Sequence, residues 1–281
     1  MWIAIQNAVG ARQGVGGGPG PGPGPGYTPP LDNYPNAAAA YSVRLLRTAY
    51  SGSALRVRRN AAPFDEQDIG FTPSGDLDEA DIVAFGGSDV LTVSAWYDQS
   101  GNQVHATQIT PSTQPQIYDG AAVFTNNGKP EIKVGPGAFT TSITSVSQPF
   151  SVSSVLSASG LFARFLGSNS DLHIIGANSF LWLDVEVGAG ITTAQNRQTG
   201  FFGVGNGSSG SGKVYDSTAQ PTAVSINTTE TISLSVFAAR ADINTGNNRT
   251  KIQEFILWES DETSNRTGIE TNINDHFDIY T

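Results

Sequence analysis

The residues best equipped for chemistry in this 281-residue chain gather in one turn, Trp96-Tyr97-Asp98-Gln99-Ser100-Gly101-Asn102. Aromatic faces, a carboxylate, amides and a hydroxyl stand side by side there. Such a set can stack on and hydrogen-bond a sugar, with Tyr97 and Asp98 as the contacts. The same residues suit a structural task, which is the leading reading. Asp98 and Ser100 would accept backbone N–H groups of a tight turn, while Trp96 or Tyr97 fills the core. A second group of carboxylates lies in Leu183-Asp184-Val185-Glu186, where strand alternation puts Asp184 and Glu186 on one face, open to ligand or to solvent. Metal chemistry finds less support. His105, His173 and His276 are far apart in sequence. The acidic stretch Asp78-Glu79-Ala80-Asp81 lacks the glycine and closing glutamate of a calcium loop and reads as an acidic turn or a helix start. There is no cysteine, hence no disulfide framework and no thiolate ligand or nucleophile. Neither a metal nor a cofactor is expected.

The turn must be carried by strands. Apolar runs bounded by Gly, Asn, Ser and Pro predict strands over residues 90–97, 116–118, 121–124, 131–134, 150–157, 172–175, 180–187, 201–204, 231–238 and 252–258. That rhythm predicts an all-β fold, an antiparallel β-sandwich of jelly-roll type, not βαβ units. Leu55-Arg56-Val57-Arg58 alternates as a strand with one wet face. Residues 36–50, with an alanine run, Leu45 and Leu46 and no proline, predict a short N-terminal helix. A C-terminal helix is predicted to start near Ser260 as its cap, with Asp261 and Glu262 on the N-terminal dipole and Ile269, Ile273 and Phe277 on one face. Trp258, just before it, would pack under the helix or stay exposed as a sugar platform. The run at residues 205–212 reads as a mobile loop. Arg44, Arg47, Arg56, Arg58 and Arg59 precede Asp65, Glu66 and Asp68, a pattern that points to local ion pairing.

The N-terminal region differs in kind. Residues 14–35 form a Gly/Pro-rich tether, since proline blocks helix and ladder pairing and glycine adds freedom. Residues 1–13 read as an anchor peptide whose Trp2, Ile3, Ile5 and Val9 dock into a larger assembly, because exposed apolar residues of that kind invite association. Residues 36–281 form the single large domain. The opening stretch lacks a charged n-region and a sufficient apolar core, so no export signal is expected. No apolar run is long enough to span a membrane. A net charge of −10 argues against phosphate-backbone binding and favours a protein held in many copies.

Three stretches carry a family likeness: residues 40–59, the turn at 96–102, and residues 251–280. Together they resemble the catalytic domain of family-54 α-L-arabinofuranosidases and the concanavalin A-like (laminin-G-like) sandwich domains of tailed-phage structural proteins. The arabinofuranosidase resemblance implies a retaining mechanism, which requires two carboxylates about 5–5.5 Å apart. It carries the nucleophile onto Glu186, in an Asp-x-Glu motif, and the acid/base onto Asp242, ahead of Glu254. The sequence departs from that pattern at its sugar-holding positions. Val187-Gly188 stands where the family has paired asparagines, and Arg240-Ala241 where it has two glycines. The vicinal cysteines are absent, and Asp171, Leu172 and His173 occupy the region of an expected tryptophan. The expectation is therefore a virion structural protein that displays a lectin-like sandwich for particle decoration or glycan adhesion, with Tyr97, Asp98, Asp184 and Trp258 as candidate carbohydrate contacts. Its partners would be other virion proteins, reached through residues 1–13, and surface glycans, in a homo-oligomeric or multicopy arrangement. A glycoside hydrolase and a purely structural head or tail component are the alternatives. Deleting residues 1–26 should leave a folded domain that no longer joins its assembly, since each buried Trp or Ile contributes about 1.5–3 kcal/mol. Co-sedimentation of the truncated chain at full stoichiometry would show the anchor assignment to be wrong.

Overall fold

The computed structural model describes residues 27–133, 139–158 and 250–280. Between these last two it describes the strands Phe162–Arg164, His173–Ile175, Ser179–Trp182, Val185–Glu186, Gln198–Gly205, Gly210–Tyr215 and Val224–Ile226. The anchor residues Trp2, Ile3, Ile5 and Val9, and the expected strand at 231–238, lie outside the described residues.

The chain is mostly antiparallel β-sheet with a C-terminal helix, as its turn-punctuated apolar runs predict. One ladder runs Val224–Ile226, Gly210–Tyr215, Gln198–Gly205, Phe150–Ala158, Thr250–Trp258, Ile132–Lys133, Gln116–Tyr118, Leu91–Trp96, Leu55–Arg59, Glu66–Ile69. The strand Thr250–Trp258 is its branch point. One edge pairs along its length with Phe150–Ala158. The other pairs first with Ile132–Lys133 and then with Ala37–Ser42. Ile252, Phe255, Ile256, Leu257 and Trp258 are all buried, so both faces of this strand are core.

The predicted N-terminal helix is a strand instead. Ala37–Ser42 runs antiparallel to the closing strand, with Ala40 opposite Ile256 and Tyr41 opposite Phe255. A short alanine-rich helix is marginal on its own, and burial on a sheet decides the outcome. Asn36, at φ 65°, turns the chain into the strand. A helix does form at Glu79–Gly86, where Asp78 Oδ1 accepts the Asp81 N–H at 3.0 Å, so the acidic stretch is a helix start. The predicted strand at 121–124 is replaced by a hairpin, Thr125–Asn126 with Lys129–Pro130, around Asn127 and Gly128 at φ 47° and 71°. The expected loop at 205–212 is a strand from Gly210 onward, paired with Gln198–Gly205.

The terminal helix spans Arg266–Phe277, preceded by a 3-10 turn at Thr263–Asn265. Ser260 does not cap it; its hydroxyl donates to Glu262 Oε1 at 2.6 Å. Ile269, Ile273 and Phe277 are fully buried in the same core as Phe255 and Leu257, so the helical seam forms as its spacing predicts. The expected ion pairing is local only in part. Arg56 binds Asp68, at 2.8 and 2.9 Å, but Arg59 reaches Asp89. Arg44 reaches across the fold to Glu254: Nε donates to Oε2 at 2.6 Å and Nη2 to Oε1 at 2.9 Å, with both side chains fully buried. The Tyr27 ring lies 5.9 Å from the Arg44 guanidinium, its hydroxyl donating to the Leu45 carbonyl at 2.6 Å.

His276 packs edge-on against Phe277 and near Tyr27. Burial, then the charges of Arg44 and Lys129, push its imidazole down to about 2, which outweighs Asp76 Oδ1 at 3.7 Å. The folded chain therefore holds this ring neutral, while the unfolded chain protonates it near its ordinary value of about 6.5. The unfolded state then binds the extra proton, so stability should fall as pH drops below about 6.5. Urea midpoints measured between pH 7.5 and 5, above the carboxylate range, should show this decline and should show less of it in His276→Gln. A flat profile in the wild-type chain would show that the ring is not held neutral.

Candidate functional site

The turn after Leu91–Trp96 follows strand alternation. Trp96 points inward and is fully buried, its Nε1 donating to the Ser42 carbonyl at 3.2 Å. Tyr97 points outward, its hydroxyl donating to Asp68 Oδ1 at 2.7 Å. Its ring stands edge-on to His105 at 5.0 Å, with the Arg56 guanidinium 5.9 Å away. Burial, with the Asp68 carboxylate accepting from it, raises the Tyr97 phenol above its ordinary range. Tyr97 is thus half-buried and already partnered on its hydroxyl.

Asp98 is buried and serves the backbone. Its Oδ1 accepts the N–H groups of Ala40 at 2.8 Å and Ser100 at 2.9 Å. Its Oδ2 accepts the Ser100 hydroxyl at 2.7 Å and the Val104 N–H at 3.1 Å. Ser100 Oγ in turn accepts the Asn102 N–H at 3.1 Å. The structural role expected for Asp98 and Ser100 is therefore the observed one, and Asp98 keeps no lone pair facing solvent for a sugar. Gln99 adds three bonds of the same kind, accepting from Leu46 N–H at 2.8 Å and donating to the carbonyls of Ser42 and Arg44.

Trp258 is likewise no sugar platform. The ring is fully buried, and Nε1 donates at 3.1 Å to the carbonyl of Tyr34, in the segment before Ala37–Ser42. Glu186 sits in the short strand Val185–Glu186, opposite Leu181 in a four-stranded antiparallel meander. Asp184 and Asp242 lie outside the described residues. Among the described residues, no three His, Asp or Glu side chains gather as metal ligands.

The turn also walls a cavity of about 580 Å³. Asn36, Arg47, Ser100, Asn102 and Glu259 supply its polar lining, and Leu31 and Ile143 are among its apolar residues. Of these, sequence reasoning singled out only the turn residues and the basic cluster. Glu259 and Asn36 are brought in by the pairing of Ala37–Ser42 with the closing strand, which the predicted helix concealed.

Neither a protein-family model nor a curated protein matches this chain. Solved structures do. One is an arabinofuranosidase complexed with arabinofuranosyl-α-1,2-xylobiose, 17% identical with a TM-score of 0.59 over 88% of this chain and 64% of that one. Another is a GH54 α-L-arabinofuranosidase soaked with a cyclic sulfate inhibitor, 15% identical with a TM-score of 0.55 over 88% of this chain and 65% of that one. The chain thus spans somewhat under two thirds of these proteins, and the likeness is one of fold. Within that fold, Asp98→Ala should leave several buried donors unpaired, each costing about 1–3 kcal/mol. Chemical denaturation should therefore show a loss of several kcal/mol, and an unchanged midpoint would mean that the turn is held by other contacts.

Proposed function

We propose that this chain is a glycan-binding, concanavalin A-like β-sandwich, tethered through its Gly/Pro segment and displayed in many copies on a particle such as a tailed-phage virion. The observation that carries the reading is the shared fold, over 88% of the chain, with an arabinofuranosidase solved with an arabinofuranosyl-xylobiose bound. Binding is preferred to catalysis because the substitutions fall on sugar-positioning residues. With Val187-Gly188, Arg240-Ala241 and no cysteine, two carboxylates would lack the surrounding groups that fix a reacting sugar, and positioning supplies much of a glycosidase's rate. The Pro-Gly repeats from Pro19 to Gly26 suit display, because proline removes the backbone donor that a sheet ladder needs and a Pro-rich sequence favours a spacer. The net charge of −10 would keep neighbouring copies apart.

The same fold likeness favours one second reading, a retaining glycoside hydrolase with Glu186 as nucleophile and Asp242 as acid/base. An assay on 4-nitrophenyl α-L-arabinofuranoside, run beside a glycan microarray, separates the two. The binding reading expects array signal without release of 4-nitrophenol. Hydrolysis that disappears in both Glu186→Gln and Asp242→Asn would make the chain an enzyme. Silence in both assays would leave a purely structural component.

A further inference from the structure

The cavity beside the Asp98 turn has no part in the carboxylate chemistry above, yet it is built like a ligand site. Its volume of about 580 Å³ lies within the range of small-ligand sites, about 300–1,000 Å³. Its polar groups are held in place from behind. Arg47 Nη1 donates to the Ser100 carbonyl at 3.0 Å. The guanidinium lies against Gly101, where a Cβ would come within 2.9 Å of Nη2, and the φ of +101° there also demands glycine. Asn102 Nδ2 donates to the carbonyls of Ala37 and Ala38, at 3.0 and 3.1 Å. Asp98 fixes the backbone between them.

Hydrogen-bonding capacity is left over on that frame. Arg47 forms no ion pair among the described residues, and of its guanidinium nitrogens Nη1 alone has a hydrogen bond there. Glu259 follows the buried Trp258, is exposed, and makes no hydrogen bond or ion pair among the described residues. Asn102 Oδ1 also remains an acceptor. A guanidinium and a carboxylate, neither in an ion pair among the described residues, and one amide oxygen therefore line a single cavity with Leu31 and Ile143. Asn36, also in the lining, takes the left-handed conformation at φ 65°. Backbone of that kind persists where the surrounding structure imposes it, often at ligand sites.

We infer that this cavity binds one neutral sugar ring, a furanose or pyranose with neighbouring hydroxyls. Arg47 donates to its oxygens, Glu259 and Asn102 accept from its hydroxyls, and Leu31 and Ile143 meet its C–H face. The charges select for neutrality. An acidic sugar would face Glu259 and a cationic one Arg47, whereas a diol can use the donor and the acceptor together. The inference rests on the glycan-binding reading and gives it a location.

The test uses the full-length protein on a microarray of neutral and acidic glycans. A titration with the methyl glycoside of the best-bound terminal sugar follows. Arg47→Lys, which keeps charge but loses the planar fork, and Glu259→Ala should each weaken binding about tenfold. Wild-type affinity should change less than about twofold over a tenfold rise in salt, as for a neutral ligand. Glu259→Ala should melt like wild type, so it decides the matter alone if Arg47→Lys proves unstable. Wild-type binding that both variants retain would place the glycan elsewhere and overturn the site while sparing the function. A salt-sensitive preference for acidic sugars would overturn the ligand class. Wild-type protein that binds no glycan would overturn the functional reading, and the site with it.

Discussion

A guanidinium and a carboxylate, Arg44 and Glu254, lie fully out of water at the centre of this fold, and much of the surrounding chain is arranged to tolerate them. Removing two charges from solvent costs several kcal/mol per ion, and only close geometry with further hydrogen bonds offsets it. The pair meets those terms. The guanidinium fork engages both carboxylate oxygens and sends Nη1 to the Asn272 carbonyl at 3.1 Å. Ser42 donates its hydroxyl to Glu254 Oε2 at 2.9 Å and accepts the Arg44 N–H. The Phe277 ring lies 5.1 Å from the guanidinium. Burial works against the charged form of Arg44, yet the neighbouring carboxylate outweighs it and the net shift is upward. Losing either partner would leave the other charge uncompensated. The first strand, the branch strand and the terminal helix are thus tied at one point.

The site inherits its rigidity from that point. Trp96 and Gln99 both donate to the Ser42 carbonyl, and Gln99 also binds Arg44 and Leu46. Asp98 reaches the backbone of Ala40 in the same strand. The polar turn is therefore bonded to the strand whose Ser42 supports the buried pair, and the cavity wall formed by Ser100 and Asn102 cannot shift without disturbing both. Preorganised polar groups of this kind can hold a ligand with little ordering cost.

What was legible in the sequence follows from how local each signal is. The terminal helix could be read because Ile269, Ile273 and Phe277 repeat at helical spacing, and the strand Gln116–Tyr118 because β-branched and aromatic residues sit between turn formers. The roles of Asp98 and Ser100 were readable because such turns are closed by their own side chains. The strand Ala37–Ser42 was not, because its partner lies more than two hundred residues downstream in Thr250–Trp258 and alanine carries no period of its own. The Arg44–Glu254 pair was hidden for the same reason. Sequence proximity suggested the acidic run near residue 65, while topology supplied Glu254. Glu259 and Asn36 became neighbours of the turn only through that unforeseen pairing.

The fold likeness constrains function less than these particular side chains do. A sheet scaffold can host hydrolysis, binding or neither, and the difference lies in what its loops present. Here the two residues most suggestive of a sugar platform are occupied: Trp258 by the core and Tyr97 by Asp68. The groups with capacity to spare are instead Arg47, Asn102 and Glu259, none of them aromatic. A site built from these would rely on directional hydrogen bonds more than on stacking. Its discrimination would come from the positions of hydroxyls, since a polar group left unpaired on binding costs more than a lost apolar contact.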